Sequence, residues 1–127
     1  MKKIKFKLEF PLNITSPQIV WNLIGTSTGL SEWFSDHVEE SGAEMVFHWD
    51  KYSQKAGILH MKALSHIRLQ WEEDKGSEYF FELKLIQSEL SKDWTLFVTD
   101  FSTPDEIEES KLLWDQQIEE LKRKLGL

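Results

Sequence analysis

Between residues 4 and 14 apolar and polar side chains alternate, with Ile4, Phe6, Leu8, Phe10, Leu12 and Ile14 set against Lys5, Lys7, Glu9, Pro11 and Asn13. Successive strand side chains point to opposite faces, so this segment predicts a strand with one buried and one solvated face. Pro11 has no N–H to give to a ladder, which places the strand at a sheet edge or at a bulge. Ser16-Pro17 then reads as an N-cap followed by proline at the first helical position. The short helix it opens carries Ile19, Val20, Leu23 and Ile24 and stops near Gly25. Thr28-Gly29 predicts the opening of a second short helix through Leu30, Trp33 and Phe34.

From residue 36 the period falls to two. Strands are predicted at 36–40, 44–49, 56–64, 66–72, 78–86 and 93–101. The turn signals between them are Ser41-Gly42, the Asp50–Lys55 loop, Asp74-Lys75-Gly76-Ser77 and Ser88–Lys92. Consecutive strands with short connections argue for an antiparallel meander. At the end of the chain Thr103-Pro104-Asp105-Glu106 predicts a capping box, with Thr103 as N-cap, proline at N1 and Glu106 at N3. Acidic residues fill the first turns of this helix and Lys122, Arg123 and Lys124 the last, complementing its dipole, and Gly126 stops it. Ile107, Trp114, Ile118, Leu121 and Leu125 form its apolar stripe, with Leu113 beside it. The fold class predicted is α+β. A curved antiparallel sheet of six to seven strands wraps a long C-terminal helix, with two short helices after the first strand, in a single domain over 1–127.

Composition adds exclusions. The 127 residues include 8 Phe, 6 Trp and 2 Tyr within a 40% hydrophobic fraction, enough to build a sizeable core. No run approaches the ~18 apolar residues of a membrane span, so membrane insertion is not expected. A Lys at every second position from Lys3 to Lys7 leaves no continuous apolar signal segment, and the cytoplasm is the default location. The absence of cysteine removes disulfides, thiolate metal sites and cysteine nucleophiles. A net charge of −7 argues against nucleic acid and against anionic membrane surfaces as partners. There is no heptad seam, so a monomer is the default.

Candidate chemistry is sparse. His37, His48, His60 and His66 lack metal-ligand spacing, no nucleophile elbow or phosphate-cradling glycine loop is present, and no catalytic residue, metal or cofactor is assigned. Trp21, Trp33, Trp71 and Trp114 have two readings, as core or as the lining of an apolar pocket. Asp100 closes an apolar strand, where a carboxylate serves either to cap the junction or as a polar anchor in a pocket.

Three segments together resemble a known family. Ser16-Pro17-Gln18-Ile19-Val20-Trp21 matches an S-P-x-x-V/L-W/Y helix opening, and Leu30-Ser31-Glu32-Trp33-Phe34-Ser35-Asp36 matches L-x-x-W-F-x-D. Leu112-Leu113-Trp114, with Ile118 and Leu121, matches the final helix. With the order of elements, these resemble the START-like helix-grip superfamily, in the branch related to the C-terminal domain of the Hsp90 ATPase activator. The resemblance implies a non-enzymatic domain that holds a small apolar molecule or lipid between sheet and C-terminal helix, lined by Trp21, Trp33, Phe34, Trp71, Phe81 and Trp114. An exposed Trp33-Phe34 pair would instead form a lid or a partner patch at the mouth. The alternative it implies is a chaperone-linked protein-interaction module with a filled core. Some helix-grip relatives are cyclases or hydrolases, which keeps catalysis open. Two departures limit the transfer. These residues leave none for the activator's separate N-terminal Hsp90-binding domain, so co-chaperone activity is not carried over. Relatives often place Gly just before the helix Trp, where Leu113 stands here, and its volume implies a smaller cavity.

Overall fold

The computed structural model describes residues 2–127. It contains seven strands and three α-helices. These are β1 (Ile4–Leu12), α1 (Pro17–Ile24), α2 (Ser27–Trp33), β2 (His37–Ser41), β3 (Glu44–Trp49), β4 (Tyr52–Lys62), β5 (His66–Trp71), β6 (Phe81–Gln87), β7 (Trp94–Ser102) and α3 (Ile107–Leu125). All strand pairs are antiparallel, in the order β1-β7-β6-β5-β4-β3-β2. Strands β2 to β7 are thus a meander, and β1 closes against the last of them. The sheet is curved, and its apolar face packs on α3 in the helix-grip arrangement predicted from the sequence.

The cross-strand register explains which side chains share that face, because directly paired residues point the same way. Leu8, Val98 and Leu83 form one row, Phe10, Leu96 and Leu85 a second, and Val38, Phe47 and Gln54 a third. Onto these rows α3 lays Trp114, Ile118 and Leu121, which are 5%, 1% and 0% exposed. Ile107 and Leu125 pack at the ends of the same stripe, whereas Leu113 turns outward. The opposite face is solvated and carries an Arg68–Glu82 ion pair of 2.9 Å. Pro11 sits on β1, which pairs only with β7, so the ladder N–H it lacks is not needed on its open side.

Four local readings of the sequence are corrected. First, β4 begins at Tyr52, so Asp50-Lys51 is a two-residue turn with Trp49 opposite Tyr52. The polar run Ser53-Gln54-Lys55 hid a strand whose outer face is wet. Second, β6 begins at Phe81, because Gln70 donates to the carbonyls of Ser77 (3.2 Å) and Tyr79 (2.8 Å) and so substitutes for a ladder there. Third, α2 opens one residue before Thr28. Its cap is Thr26, whose hydroxyl accepts from Gly29 N–H at 2.9 Å and donates to Asn22 C=O at 2.7 Å. Fourth, the capping box does not form. The Thr103 carbonyl accepts from Glu106 N–H at 3.0 Å, closing a separate turn, and α3 starts only at Ile107. Ser110 Oγ ties the helix start to β7 instead, donating to Ser102 Oγ at 2.9 Å.

Glycine is geometrically required at Gly29 and at Gly126. At Gly29 a Cβ would lie 1.9 Å from the Asn22 carbonyl oxygen, so α1 and α2 meet backbone to backbone. Gly126, at φ +79°, adopts the left-handed conformation that ends α3, with the N–H groups of Gly126 and Leu127 turned back to the carbonyls of Arg123 and Lys122.

Candidate functional site

The meander brings its aromatic residues together at one end of the α3 interface. Trp49 stands at the end of β3 and Tyr52 at the start of β4, and their rings stack at 5.0 Å across the Asp50-Lys51 turn. Trp71, at the end of β5, stacks on Phe81 of β6 at 5.0 Å and lies 6.3 Å from Trp49. Phe34, just after α2, stacks on Phe81 at 5.8 Å and reaches Trp114 of α3 at 5.7 Å. Such offset and tilted pairs hold one another in register beyond simple area burial.

Between these rings lies a partly open cleft of about 170 Å³. Its walls are Phe34, Trp49, Tyr52, Trp71, Phe81, Leu113 and Trp114, and its polar groups are Gln54, Gln117 and Asp100. Asp100 is fixed by two donors. Its Oδ1 accepts from Phe101 N–H at 2.7 Å and its Oδ2 from Trp114 Nε1–H at 2.9 Å. Desolvation nonetheless pushes its pKa up to about 6, the two hydrogen bonds and Lys3 opposing the rise and Asp74 adding to it. Each carboxylate oxygen keeps a second lone pair beyond these bonds.

Of the six residues proposed as lining from the sequence, Phe34, Trp71, Phe81 and Trp114 meet at this cleft. Trp21 and Trp33 do not reach it. Trp21 is buried against Gly25, where a Cβ would come within 2.4 Å of its indole. Trp33 is buried with its indole N–H donating to Leu23 C=O at 2.7 Å. Trp33 and Phe34 are 7% and 6% exposed, which rules out an exposed lid or patch made of that pair. The residues that sequence reading left out are Trp49, Tyr52, Gln54 and Gln117. For the first three the missing signal was the short Asp50-Lys51 turn, which puts Trp49, Tyr52 and Gln54 on the same sheet face as Phe47.

The histidines lie away from this cleft. His48 Nε2 approaches Glu39 Oε1 at 2.9 Å, with the His37 ring 5.8 Å away across the β2–β3 pair. His60 and His66 stack at 4.7 Å between β4 and β5. Burial is the main cause holding the His66 pKa below its usual value, with His60, Lys84 and Arg68 acting the same way against Glu82. Among the described residues no group of three His, Cys, Asp or Glu side chains is arranged to hold a metal ion.

The family model of the START-like superfamily domain matches residues 1–127. The chain belongs to the START-like superfamily. This START-like domain is 41% identical to BfR322 from Bacteroides fragilis, with a TM-score of 0.70 and 100% of this chain aligned to 94% of that one. The Aha1 dimer from Colwellia psychrerythraea shares the fold at 13% identity and TM-score 0.76, over 94% of this chain and 93% of that one. CalU16 from Micromonospora echinospora does so at 15% identity and TM-score 0.68, over 94% of this chain and 72% of its own. No curated protein matches the sequence. No helix of the described residues is long and apolar enough to cross a membrane.

Proposed function

We propose that this START-like domain is a non-enzymatic binder of a small, ring-containing molecule, held in the cleft between the sheet and α3. The observation that carries the reading is the cleft itself, with aromatic walls from five separate elements converging on the fixed Asp100 carboxylate. Apolar walls with a few placed polar groups are the usual make-up of a ligand site. The START-like superfamily often binds hydrophobic ligands, which points the same way.

Volume narrows the ligand. Drug-sized molecules occupy clefts of ~300 Å³ or more, whereas a cavity of ~150 Å³ accepts one benzene-sized ring. At about 170 Å³ the cleft takes one ring system, and the chains of a lipid would lie outside it. Leu113 forms part of the wall of the cleft.

The test combines native mass spectrometry of the freshly purified protein with an amide NMR titration using indole as probe. The reading expects a small-molecule adduct, or indole-dependent shifts confined to residues around Trp49, Trp71, Asp100 and Trp114. A clean apo mass, with no cleft shift at millimolar indole, overturns it. A second reading, a protein-interaction module, is favoured by the exposure of Tyr52, Leu112 and Leu113, which are 57%, 57% and 55% accessible. If indole does not bind, capture of a protein partner that is lost on Leu113→Asp substitution is the outcome this alternative expects.

A further inference from the structure

We infer that the molecule bound in the cleft is an organic cation, a small amine or quaternary ammonium on a ring-sized apolar body, with its charge directed to Asp100 and the surrounding indole faces. This rests on the reading of the cleft as a ligand site and names the ligand's chemical class.

The charge inventory of the cleft is one-sided. Its lining includes a carboxylate and no Lys, Arg or His. Several basic residues of the sheet are engaged elsewhere, while Lys51 lies exposed in the turn between Trp49 and Tyr52. Lys3, which acts on Asp100 from a distance, bonds both carboxylate oxygens of Asp74, at 3.2 and 3.3 Å. Lys5 and Lys7 of β1 lie over Phe80 and Phe97 on the outer sheet face, and Arg68 and Lys84 serve Glu82 there. Among the described residues Asp100 therefore has no ion-pair partner at the cleft and is held by two neutral N–H donors.

The walls favour the same sign. An aromatic face presents the negative side of its quadrupole, and Trp, Tyr and Phe faces attract a desolvated cation most strongly in that order. The cleft holds three indoles and a phenol ring, from Trp49, Trp71, Trp114 and Tyr52. A neutral ligand would only deepen the desolvation of Asp100, and an anion would meet a like charge. A cation supplies the missing counter-charge. The adjoining groove on the far side of Phe34 and Trp49 is rimmed by Glu32, Asp36 and Glu120, and the whole chain carries −7. Approach of a cation is thus favoured before contact.

Binding of a cation also stabilises the ionised form of Asp100. As pH falls through about 6, where Asp100 of the ligand-free chain takes up its proton, the attraction weakens. The groups acting on this carboxylate are Lys3, Asp74 and the N–H groups of Phe101 and Trp114.

The experiment is an NMR titration of the full chain with three molecules of matched shape: benzylamine, benzyl alcohol and benzoate. At pH 7.5 benzylamine is expected to bind at least about tenfold more tightly than benzyl alcohol, with benzoate weakest. The preference for the amine should shrink at pH 5. In Asp100→Asn the preference for benzylamine over benzyl alcohol should disappear. Should Asp100→Asn not fold, the pH dependence in the native chain decides alone. Benzyl alcohol binding as well as benzylamine, or better, overturns the cation inference and leaves the ligand cleft standing. Failure of all three to bind removes the cleft reading and the inference with it.

Discussion

The raised pKa of Asp100 makes a stability prediction that needs no ligand. A carboxyl that ionises at 3.8 in the unfolded chain and at about 6 in the fold is penalised as a carboxylate by its surroundings. Between these two pH values the folded chain holds a proton that the unfolded chain has already lost. Stability from this group therefore falls as pH rises through the window, and the full penalty stands above about pH 6. At ~1.4 kcal/mol per pKa unit the loss is at most ~3 kcal/mol, and the open side of the cleft reduces it toward ~1–2.

The assay is urea unfolding followed by tryptophan fluorescence, from pH 4 to pH 8, for the native chain and Asp100→Asn. The difference between the two is the quantity of interest. It cancels distant carboxylates and His66, whose depressed pKa acts in the opposite direction and costs stability as pH falls below its unfolded value. Asparagine has one carbonyl oxygen for two donors, so the variant loses one hydrogen bond at every pH, a constant ~1–2 kcal/mol. Against that constant, the native chain should lose ~1–3 kcal/mol relative to the variant between pH 4 and pH 7. A difference that stays flat within ~0.5 kcal/mol, or that changes in the other direction, refutes the account of Asp100 as a desolvated carboxylate.

Other perturbations follow from the packing. Trp114→Ala removes a buried indole that joins α3 to Phe34, Phe81 and Asp100, and should cost ~3–5 kcal/mol in urea unfolding; below ~1 kcal/mol it would not be core. Gly29→Ala drives a methyl into the Asn22 carbonyl and Leu23 Cα and should cost at least ~3 kcal/mol of thermal stability, because α1 and α2 must separate. Thr103→Val should be neutral within ~0.5 kcal/mol or stabilising, since the buried Thr103 Oγ1 has no partner among the described residues; a loss above ~1 kcal/mol would restore the capping box predicted from sequence. Arg68→Ala leaves the buried Glu82 without its closest cation and should cost ~1–3 kcal/mol, recovered in part by Glu82→Gln in the same chain.

What the sequence made legible was periodicity, and that was enough for the architecture. The alternation in β1, the predicted 44–49 strand and the Trp114-Ile118-Leu121 stripe all appear where the pattern put them. Element ends were less legible, because they depend on which polar group meets which backbone group. Thr26 and Thr28 are equally plausible caps in a list of residues. Only the approach of α1 and α2 through Gly29 selects Thr26. Likewise Pro104 at N1 beside Thr103 is good cap chemistry, yet the chain spends those residues on a turn before α3 begins.

The site was harder to read for a related reason. Tryptophans draw attention by their size, and Trp21 and Trp33 are as conspicuous in the sequence as Trp71 and Trp114. What separates them is the direction each points, which is set by partners far along the chain: Gly25 and Leu23 C=O for the first two, Phe81 and Asp100 for the others. A periodic pattern assigns a residue to the inside of the sheet but not to a place within it. Register does that, and here it turned on two residues, Asp50 and Lys51. Read as a hairpin turn, they place Trp49 beside Tyr52 and bring β3, β4 and β5 to a common aromatic edge. Asp100 then becomes more than a junction cap, because the row of rings gives its carboxylate an apolar surface to face, and with it the raised pKa that makes the cleft testable.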